Sequence, residues 1–493
     1  MKFKRIAIAN RGEVAVRIIK ACEELGIETV LLHSEADIQS RAYRMATKTV
    51  CIGPAATAES YLNISANIDG AIAGGAEAVH PGFGFLSENA DFAHACVKAG
   101  LVFIGPSAES IRKLGDKVHC KELAKKAGLP LVPGYEGENQ NIEQLIKEVE
   151  RIGLPVIVKA AAGGGGRGMK LINAMNEAYE LIESAQREAQ SAFGSPKVFL
   201  EKYLDRAKHI EFQIFGDSSG QVVHLFDREC SVQRRHQKII EEAISPSLTN
   251  ELRQKMGEAA VTIGMMGKYK GAGTVEFLLQ DGEFYLLEVN TRLQVEHPVT
   301  EEVMGIDLVK AQILTAQGDY VFASQNLRQP SGHSIECRIY AENPFMGGVP
   351  STGLLGSVQW PEGPGRRFEF GFESGDTITS HYDPMIAKVI VWDENRLRAI
   401  QKMIRVLKDS VVFGVHTNIP YLVEILNHPE FIQGTMTTRF IEKYFPDALN
   451  EPQLTEVEKL SIEAVSKLVK IHSTSQSMNG SSDSPWNNYW RGI

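Results

Sequence analysis

Between Glu276 and Thr300 the chain reads EFLLQDGEFYLLEVNTRLQVEHPVT, a hairpin pattern that ends in a row of chemically loaded side chains. Asp281-Gly282 is a strong tight-turn signal between two apolar runs. With a three-residue loop, Glu276 faces Glu288 across the strand pair, and two carboxylates converge on one face of the sheet. Like charges repel there unless a cation sits between them. From Glu288 onward Asn290, Arg292, Gln294 and Glu296 recur at every second position, so an extended chain puts them on the same face as the carboxylates. Such a face could hold a metal, an anion and a base together, although a solvated outer strand face shows the same alternation.

Upstream lies KAAAGGGGRGMK, from Lys159 to Lys170, with five glycines in six positions: Gly163, Gly164, Gly165, Gly166 and Gly168. Ordering so many glycines costs more backbone entropy than any other residue would, so a ligand is needed to fix them. Their N–H groups can approach phosphate oxygens, with Lys159 adding a point charge at the end of the strand LPVIVKA. The pattern is not a Walker A loop, which needs Gly-Lys-Ser/Thr after the glycines. A mobile lid over a nucleotide accounts for it better than a surface hairpin. Further on, VFLEKYL puts Glu201, Lys202 and Leu204 at a strand end that could offer backbone groups to an adenine edge. His209 and the cluster Gln233, Arg234, Arg235, His236 and Lys238 follow. Charge patterning alone would make that cluster a solvated face, but in a chain of net charge -9 it is a plausible receiver for an anion. A phosphate lid, lysines, a carboxylate pair and an anion site together describe phosphoryl transfer from a nucleotide with magnesium. Glu276 and Glu288 with Asn290 suit that metal, and two metals are compatible with the set.

Positioning these residues takes several units, and 493 residues are enough for about three. Residues 1–114 alternate short apolar runs with helical stretches, which implies a doubly wound parallel sheet. Its first turn, Asn10-Arg11-Gly12-Glu13, lacks the G-x-G-x-x-G dinucleotide fingerprint. A second glycine turn, His80-Pro81-Gly82-Phe83-Gly84-Phe85, is expected to open a helix at Ser87-Glu88-Asn89 and to line a ligand crevice. A second unit is expected over 115–330, with an insert at about 132–203 that carries its own strands and the glycine loop. An α+β unit follows over 331–446, then a helix and a flexible polar tail over 447–493.

The acidic balance of 61 Asp and Glu against 52 Lys and Arg gives no electrostatic case for a nucleic-acid partner. Six scattered cysteines without C-x-x-C pairing suggest neither a zinc site nor a disulfide framework. The N-terminus has too few apolar residues for a signal-peptide core and no run reaches the length of a membrane span, so a cytoplasmic protein is expected.

The strings IANRGE, HPGFGFLSEN, GGGGRGM, EKYL, RECSVQRRHQK, LEVNTRLQVEHPVTE, IECRIYAE and HYDPMIAK, in that order, resemble the successive signatures of the biotin carboxylase family, a branch of the ATP-grasp superfamily. The resemblance runs from residue 5 to about residue 446. It implies an N-terminal doubly wound sheet, a central ATP-grasp domain with a glycine-rich lid and a C-terminal α+β domain. It also implies carboxylation of biotin by ATP and bicarbonate through carboxyphosphate, with magnesium or manganese. Lys117, Lys159, His209, Gln233 and His236 would then contact ATP phosphates or ribose, and Glu201, Lys202 and Leu204 adenine. Glu276, Glu288 and Asn290 would hold the metals. Lys238, Arg292, Gln294 and Val295 would form the bicarbonate pocket, Glu296 would be the general base, and Arg338 would stabilise the biotin enolate.

The segment NPFMGGVPSTG, 343–353, departs from the family pattern close to Arg338. Cys230 beside the basic cluster reads as a small buried residue. No Ala-Met-Lys-Met attachment sequence occurs, so biotin is expected on a separate carrier protein, with the acyl acceptor chosen by carboxyltransferase subunits. The family commonly forms homodimers. An acyl-CoA carboxylase subunit is the leading expectation. A pyruvate carboxylase subunit, a carboxylate-amine ligase and a silent ATP-grasp scaffold are the competitors.

Overall fold

A computed structural model of the chain describes residues 2–160, 169–193, 195–235, 237–319, 322, 328–446 and 448–450, and isolated positions between 455 and 467. Strands Arg5–Ile8 (β1), Glu28–Ser34 (β2), Lys48–Gly53 (β3), Ala78–His80 (β4) and Val102–Phe103 (β5) form one sheet in the order β3-β2-β1-β4-β5. Every neighbouring pair in it is parallel, which is the doubly wound arrangement expected from the alternating pattern. Ile6, Ala7 and Ile8 are all fully buried, as a strand covered on both faces requires. The chain order reverses between β1 and β4, and at such a switch point the two following loops diverge to leave a crevice. Asn10 ties those loops together, its amide donating to the carbonyls of Pro81 and Phe83 at 2.7 Å each. The helix expected at 87–89 begins at Ala90, because Asn89 serves as its cap and accepts from the Phe92 N–H at 2.9 Å. Glu88 is left on the loop.

Strands Gly134–Tyr135 (β6), Val156–Ala160 (β7), Lys170–Ile172 (β8) and Val198–Lys202 (β9) make an antiparallel sheet in the order β6-β9-β7-β8. Helices Ile142–Ile152 and Ala178–Phe193 close a core of its own around Leu145, Val149, Val158 and Leu200. The expected phosphate-binding glycines, Gly163 to Gly166 and Gly168, lie outside the described residues, as does His236.

The largest sheet is built from Lys208–Gly216 (β10), Val222–Arg234 (β11), Gln237–Ala243 (β12), Gly271–Gln280 (β13), Glu283–Asn290 (β14), His333–Tyr340 (β15), Arg366–Phe370 (β16) and Met385–Asp393 (β17). Its order is β14-β13-β10-β11-β12-β15-β17-β16. The pairing of β12 with β15 carries this sheet across residue 330 without a break. Helix Arg396–Asp409 seals one side through Ile400, Met403 and Val406. No described helix is long and apolar enough to cross a membrane.

The hairpin between β13 and β14 differs from the expected three-residue loop. Asp281 and Gly282 have φ of 53° and 84°, both left-handed, so the turn has two residues and Gln280 pairs with Glu283. The missing residue is made up by a bulge. Phe277 pairs with Leu286 and Glu276 with Glu288, which leaves Leu287 without an opposite number.

Sheet and helix are clamped together by Glu242. It accepts from Arg396 Nε at 2.7 Å and Nη2 at 2.9 Å and lies 2.8 Å from His333 Nε2. Burial raises its proton affinity, but Arg396 and His333 outweigh burial and bring the carboxyl down to about 2. A folded-state value below the unfolded one adds stability above the unfolded pKa, and that stability is lost as pH falls through the folded one. The unfolding free-energy difference between wild type and Glu242→Gln is therefore expected to be largest above roughly pH 4.5 and to shrink toward pH 2. Urea titrations at a series of pH values measure it, and a gap that does not change with pH rules out the clamp.

Candidate active site

Four charged residues stand in one row across four strands. Arg228 on β11 pairs with Glu211 on β10, Glu211 with Glu276 on β13, and Glu276 with Glu288 on β14. Residues directly opposite in adjacent strands point to the same face, so the row forms a stripe of one cation and three carboxylates. The cations that must offset it come from two sides. Arg228, fully buried, donates to Glu211 Oε1 at 2.5 Å and to Gln213, Thr300 and Thr274 at 2.8 to 3.0 Å. Lys238 reaches over from β12, and its ammonium lies 2.5 Å from Glu211, 2.8 Å from Glu276 and 2.7 Å from Glu296. At the outer end of the row Lys117, on the first turn of helix Lys117–Lys126, sits 3.1 Å from Glu288.

The polar alternation does not continue as a strand, because β14 stops at Asn290 and the chain then turns into helix His297–Met304. Hydrogen bonds nevertheless keep the residues together. Arg292 donates to Asn290 Oδ1 at 3.1 Å and to Gln294 Oε1 at 2.9 Å. Asn290 and Gln294 in turn donate to Glu276 Oε1, at 2.9 and 3.3 Å. Glu88, from the loop after β4, accepts from Arg292 Nε at 2.8 Å and from the Thr291 N–H at 3.0 Å, so the N-terminal unit sets the arginine's direction. His209 lies 3.0 Å from Glu276 through Nε2 and meets Gln233 through Nδ1 at 2.9 Å.

Glu296, with no exposed surface, is held at both oxygens. Lys238 lies 2.7 Å from Oε1, and Arg338 Nη2 donates to Oε2 at 2.9 Å. Burial pushes its pKa up, but Lys238, Arg338 and Arg228 together pull it well below the ordinary carboxylate range, so it is ionised at neutral pH. Glu276 is also held below that range, burial being outweighed by Lys238 and His209. Lys238 among three carboxylates is held firmly protonated despite its burial.

These groups line a cavity of about 1060 Å³ at the switch point between β1 and β4. Lys117, His209, Gln233, Lys238, Glu276, Glu288, Asn290, Arg292, Gln294, Val295, Glu296 and Arg338 all face it, beside Arg11, Glu13 and Phe83 from the N-terminal unit. The expected adenine group Glu201, Lys202 and Leu204, and Lys159, expected at the phosphates, lie elsewhere. Lys159, Glu201 and Lys202 are on the small antiparallel sheet and Leu204 just beyond it, and none of the four lines this cavity. Lys159 pairs with Glu201, which Lys121 also reaches at 3.0 Å. Lys202 is occupied by the carbonyls of Gly153 at 2.9 Å and Leu154 at 2.6 Å. Cys230 is buried, as expected, with its thiol pushed well up by burial and Glu211.

Glu88, Glu211, Arg228 and Glu241 were not singled out from sequence. His209, Glu211 and Gln213 alternate along HIEFQIFG and show the period of two that marked the later stripe. No comparable signal marks Glu88 or Glu241, whose neighbours come from distant segments.

Three family models match consecutive parts of the chain. Residues 2–111 match "Biotin carboxylase, N-terminal domain", 116–322 "Carbamoyl-phosphate synthase L chain, ATP binding domain" and 336–443 "Biotin carboxylase C-terminal domain". A biotin carboxylase of Nostoc sp. is 47% identical over 444 residues, which is 90% of this chain and 99% of the relative. The mitochondrial methylcrotonoyl-CoA carboxylase subunit alpha of Glycine max is 48% identical over 461 residues, 92% of this chain but only 63% of that longer subunit. Among solved structures, the biotin carboxylase domain dimer of the Hydrogenobacter thermophilus 2-oxoglutarate carboxylase, with MgADP, ADP and bicarbonate, superposes with a TM-score of 0.83 at 42% identity and covers 92% of this chain and 100% of that one. Fold, sequence and the furnished cavity agree, and the chain belongs to the biotin carboxylase family.

Proposed function

We propose that the chain uses ATP and bicarbonate to carboxylate biotin carried on a separate protein, as the first half-reaction of an acyl-CoA carboxylase. The observation that carries this reading is the trio Lys238, Glu296 and Arg338, in which one ionised carboxylate sits between an ammonium and a guanidinium inside the cavity. Bicarbonate is a poor nucleophile until it loses its proton, so a carboxylate must be within reach while cations balance the growing negative charge. Glu296 is the base in this reading, and Lys238, Arg292, Gln294 and the Val295 backbone receive the anion. At rest the two cations weaken Glu296 as a base. An anion that draws Lys238 toward itself relaxes that hold, and basicity rises when the substrate is in place.

Two carboxylates and an amide oxygen are hard donors that fit magnesium, so Glu276, Glu288 and Asn290 would hold the metal, which supplies charge neutralisation to the phosphates. Lys117, Lys159, His209, Gln233 and His236, with the glycines 163–166 and 168, would take the phosphates and ribose, and Glu201, Lys202 and Leu204 the adenine. Excluding water from carboxyphosphate falls to the lid, about 132–203 in this division of the chain. Arg338 then stabilises the oxygen that develops charge on biotin, for which a permanently charged planar donor is suited.

An acyl-CoA and a keto acid are the acceptors named for the methylcrotonoyl-CoA and 2-oxoglutarate relatives. The same first half-reaction would serve a pyruvate carboxylase. A homodimer with separate carrier and carboxyltransferase subunits in the cytoplasm completes the proposal. ADP release with ATP, magnesium and bicarbonate, measured with and without biotin, tests it. Stimulation by biotin is expected, and an enzyme that binds ATP yet shows none, even with a biotinylated carrier, would be another ligase or a silent scaffold.

A further inference from the structure

Arg338 is governed by two carboxylates of different kinds. Its backbone is pinned, since Asn418 donates to the Arg338 carbonyl at 2.9 Å and accepts from the Tyr340 N–H at 2.8 Å. Its side chain bonds Glu296 in the cavity at 2.9 Å and Glu241 behind the cavity wall at 2.6 Å. Glu241 has no exposed surface and does not line the cavity, so no substrate can displace it. Glu296 is the partner that must let go: once it takes a proton its charge is gone, and its hold on the guanidinium weakens.

Directly across the β12–β15 pair from Glu241 stands Glu336, also without exposed surface. Glu241 Oε2 and both oxygens of Glu336 have no hydrogen-bond partner among the described protein atoms. Two ionised carboxylates at opposite positions of a dry strand pair repel, whereas one proton between them removes the conflict. The charged groups around them are Arg338, Glu296 and Lys238 on the cavity side, and Lys388 and Glu369 on the next two strands. Glu13 and His297 belong to the covering helices. Burial lifts Glu241 to about 7 against the pull of Arg338, and lifts Glu336 well above the ordinary range against the pull of Lys388.

We propose that Glu241 is the positioning residue for Arg338, holding the guanidinium when Glu296 releases it, and that Glu241 and Glu336 share one proton that sets how tightly it is held. The proposal rests on the reading of Arg338 as the residue that acts on biotin. It therefore concerns the biotin step and not the activation of bicarbonate.

The test uses the full chain with free biotin and two rates: bicarbonate-dependent ADP release without biotin, and biotin-dependent turnover. In Glu241→Gln, biotin-dependent kcat/KM is expected to fall by ~100-fold while the biotin-free rate stays within about 2-fold, because only the biotin-facing group loses its anchor. Glu336→Gln keeps the Glu241–Arg338 bond. It is expected to move the near-neutral limb of the biotin-dependent pH profile to higher pH, since ionised Glu241 loses the proton that Glu336 shares with it. Equal loss of both rates in Glu241→Gln, an unchanged biotin-dependent kcat/KM, or a pH limb that stays in place in Glu336→Gln overturns the proposal. A wild type that shows no biotin stimulation overturns the reading of the reaction itself, and is distinguishable from those results.

Discussion

Replacing Glu296 by Gln is expected to lower bicarbonate-dependent ADP release by ~1000-fold, the scale of losing a positioned general base. The substitution preserves shape and leaves Lys238 with two of its three carboxylate partners, Glu211 and Glu276. Packing is therefore retained while the proton acceptor is removed. Nucleotide affinity, followed by fluorescence of a labelled ATP analogue, should change little, because His209, Gln233 and Lys117, the residues proposed to take the phosphates, do not touch Glu296. Biotin should fail to rescue the variant, since the defect precedes its step. Residual turnover above about a tenth of wild type would mean that the proton leaves by another route, and Glu296 would then be only a partner of Lys238 and Arg338.

Lys238→Met carries the second large effect, on stability as well as rate. Three carboxylates lie within 2.8 Å of one ammonium, and Glu211 and Glu296 have no exposed surface. Breaking a buried ion pair from one side typically costs about 3–5 kcal/mol, because the remaining charge has nowhere to go. Glu211 keeps Arg228 and Glu296 keeps Arg338, so Glu276 bears most of the loss, left with His209 and the neutral amides of Asn290 and Gln294. Activity is expected to fall by ~100- to 1000-fold, as when a preorganised charge is taken from an anion site. The sign of the pH effect follows from the same carboxylates. Without the ammonium their folded-state proton affinities rise, so the variant's deficit should narrow as pH falls and they take up protons. Urea midpoints measured from pH 8 to pH 5 would show it, and a midpoint equal to that of wild type at pH 8 would mean that the ammonium is not what balances the cluster.

What could be read in advance was what repeats along the chain. The parallel N-terminal sheet followed from the alternation of apolar runs with helices, and the facing of Glu276 and Glu288 from a turn signal and the pleat. That pairing came out right although the loop is one residue shorter than expected, because the bulge at Leu287 restores the count. Turn chemistry explains the difference: Asp-Gly takes the left-handed pair of conformations that closes a two-residue hairpin. Asn290, Arg292, Gln294 and Glu296 kept their common destination after the strand ended, because Arg292 and Glu276 gather the first three by hydrogen bonds and Lys238 and Arg338 hold the fourth. Contacts between distant segments left no trace in the sequence. Glu88 comes to Arg292 from 204 positions away and Glu241 to Arg338 from 97, and neither sits in a periodic pattern that sets it apart from a surface acid.

The seam between β12 and β15 bears on where this chain can be divided. Lys238 and Arg338 belong to neighbouring strands of one ladder, in which Ile240 faces Cys337 and Glu241 faces Glu336. A cut near residue 330, where sequence patterns suggest a boundary, leaves each fragment with an open edge of unpaired N–H and C=O groups and half of a buried charge cluster. Such pieces would stick to one another or to themselves and would not fold apart, so exchanging the C-terminal third between relatives means recutting an interior. The small sheet of β6 to β9, with its own core and its own edges, is the part that can be swapped.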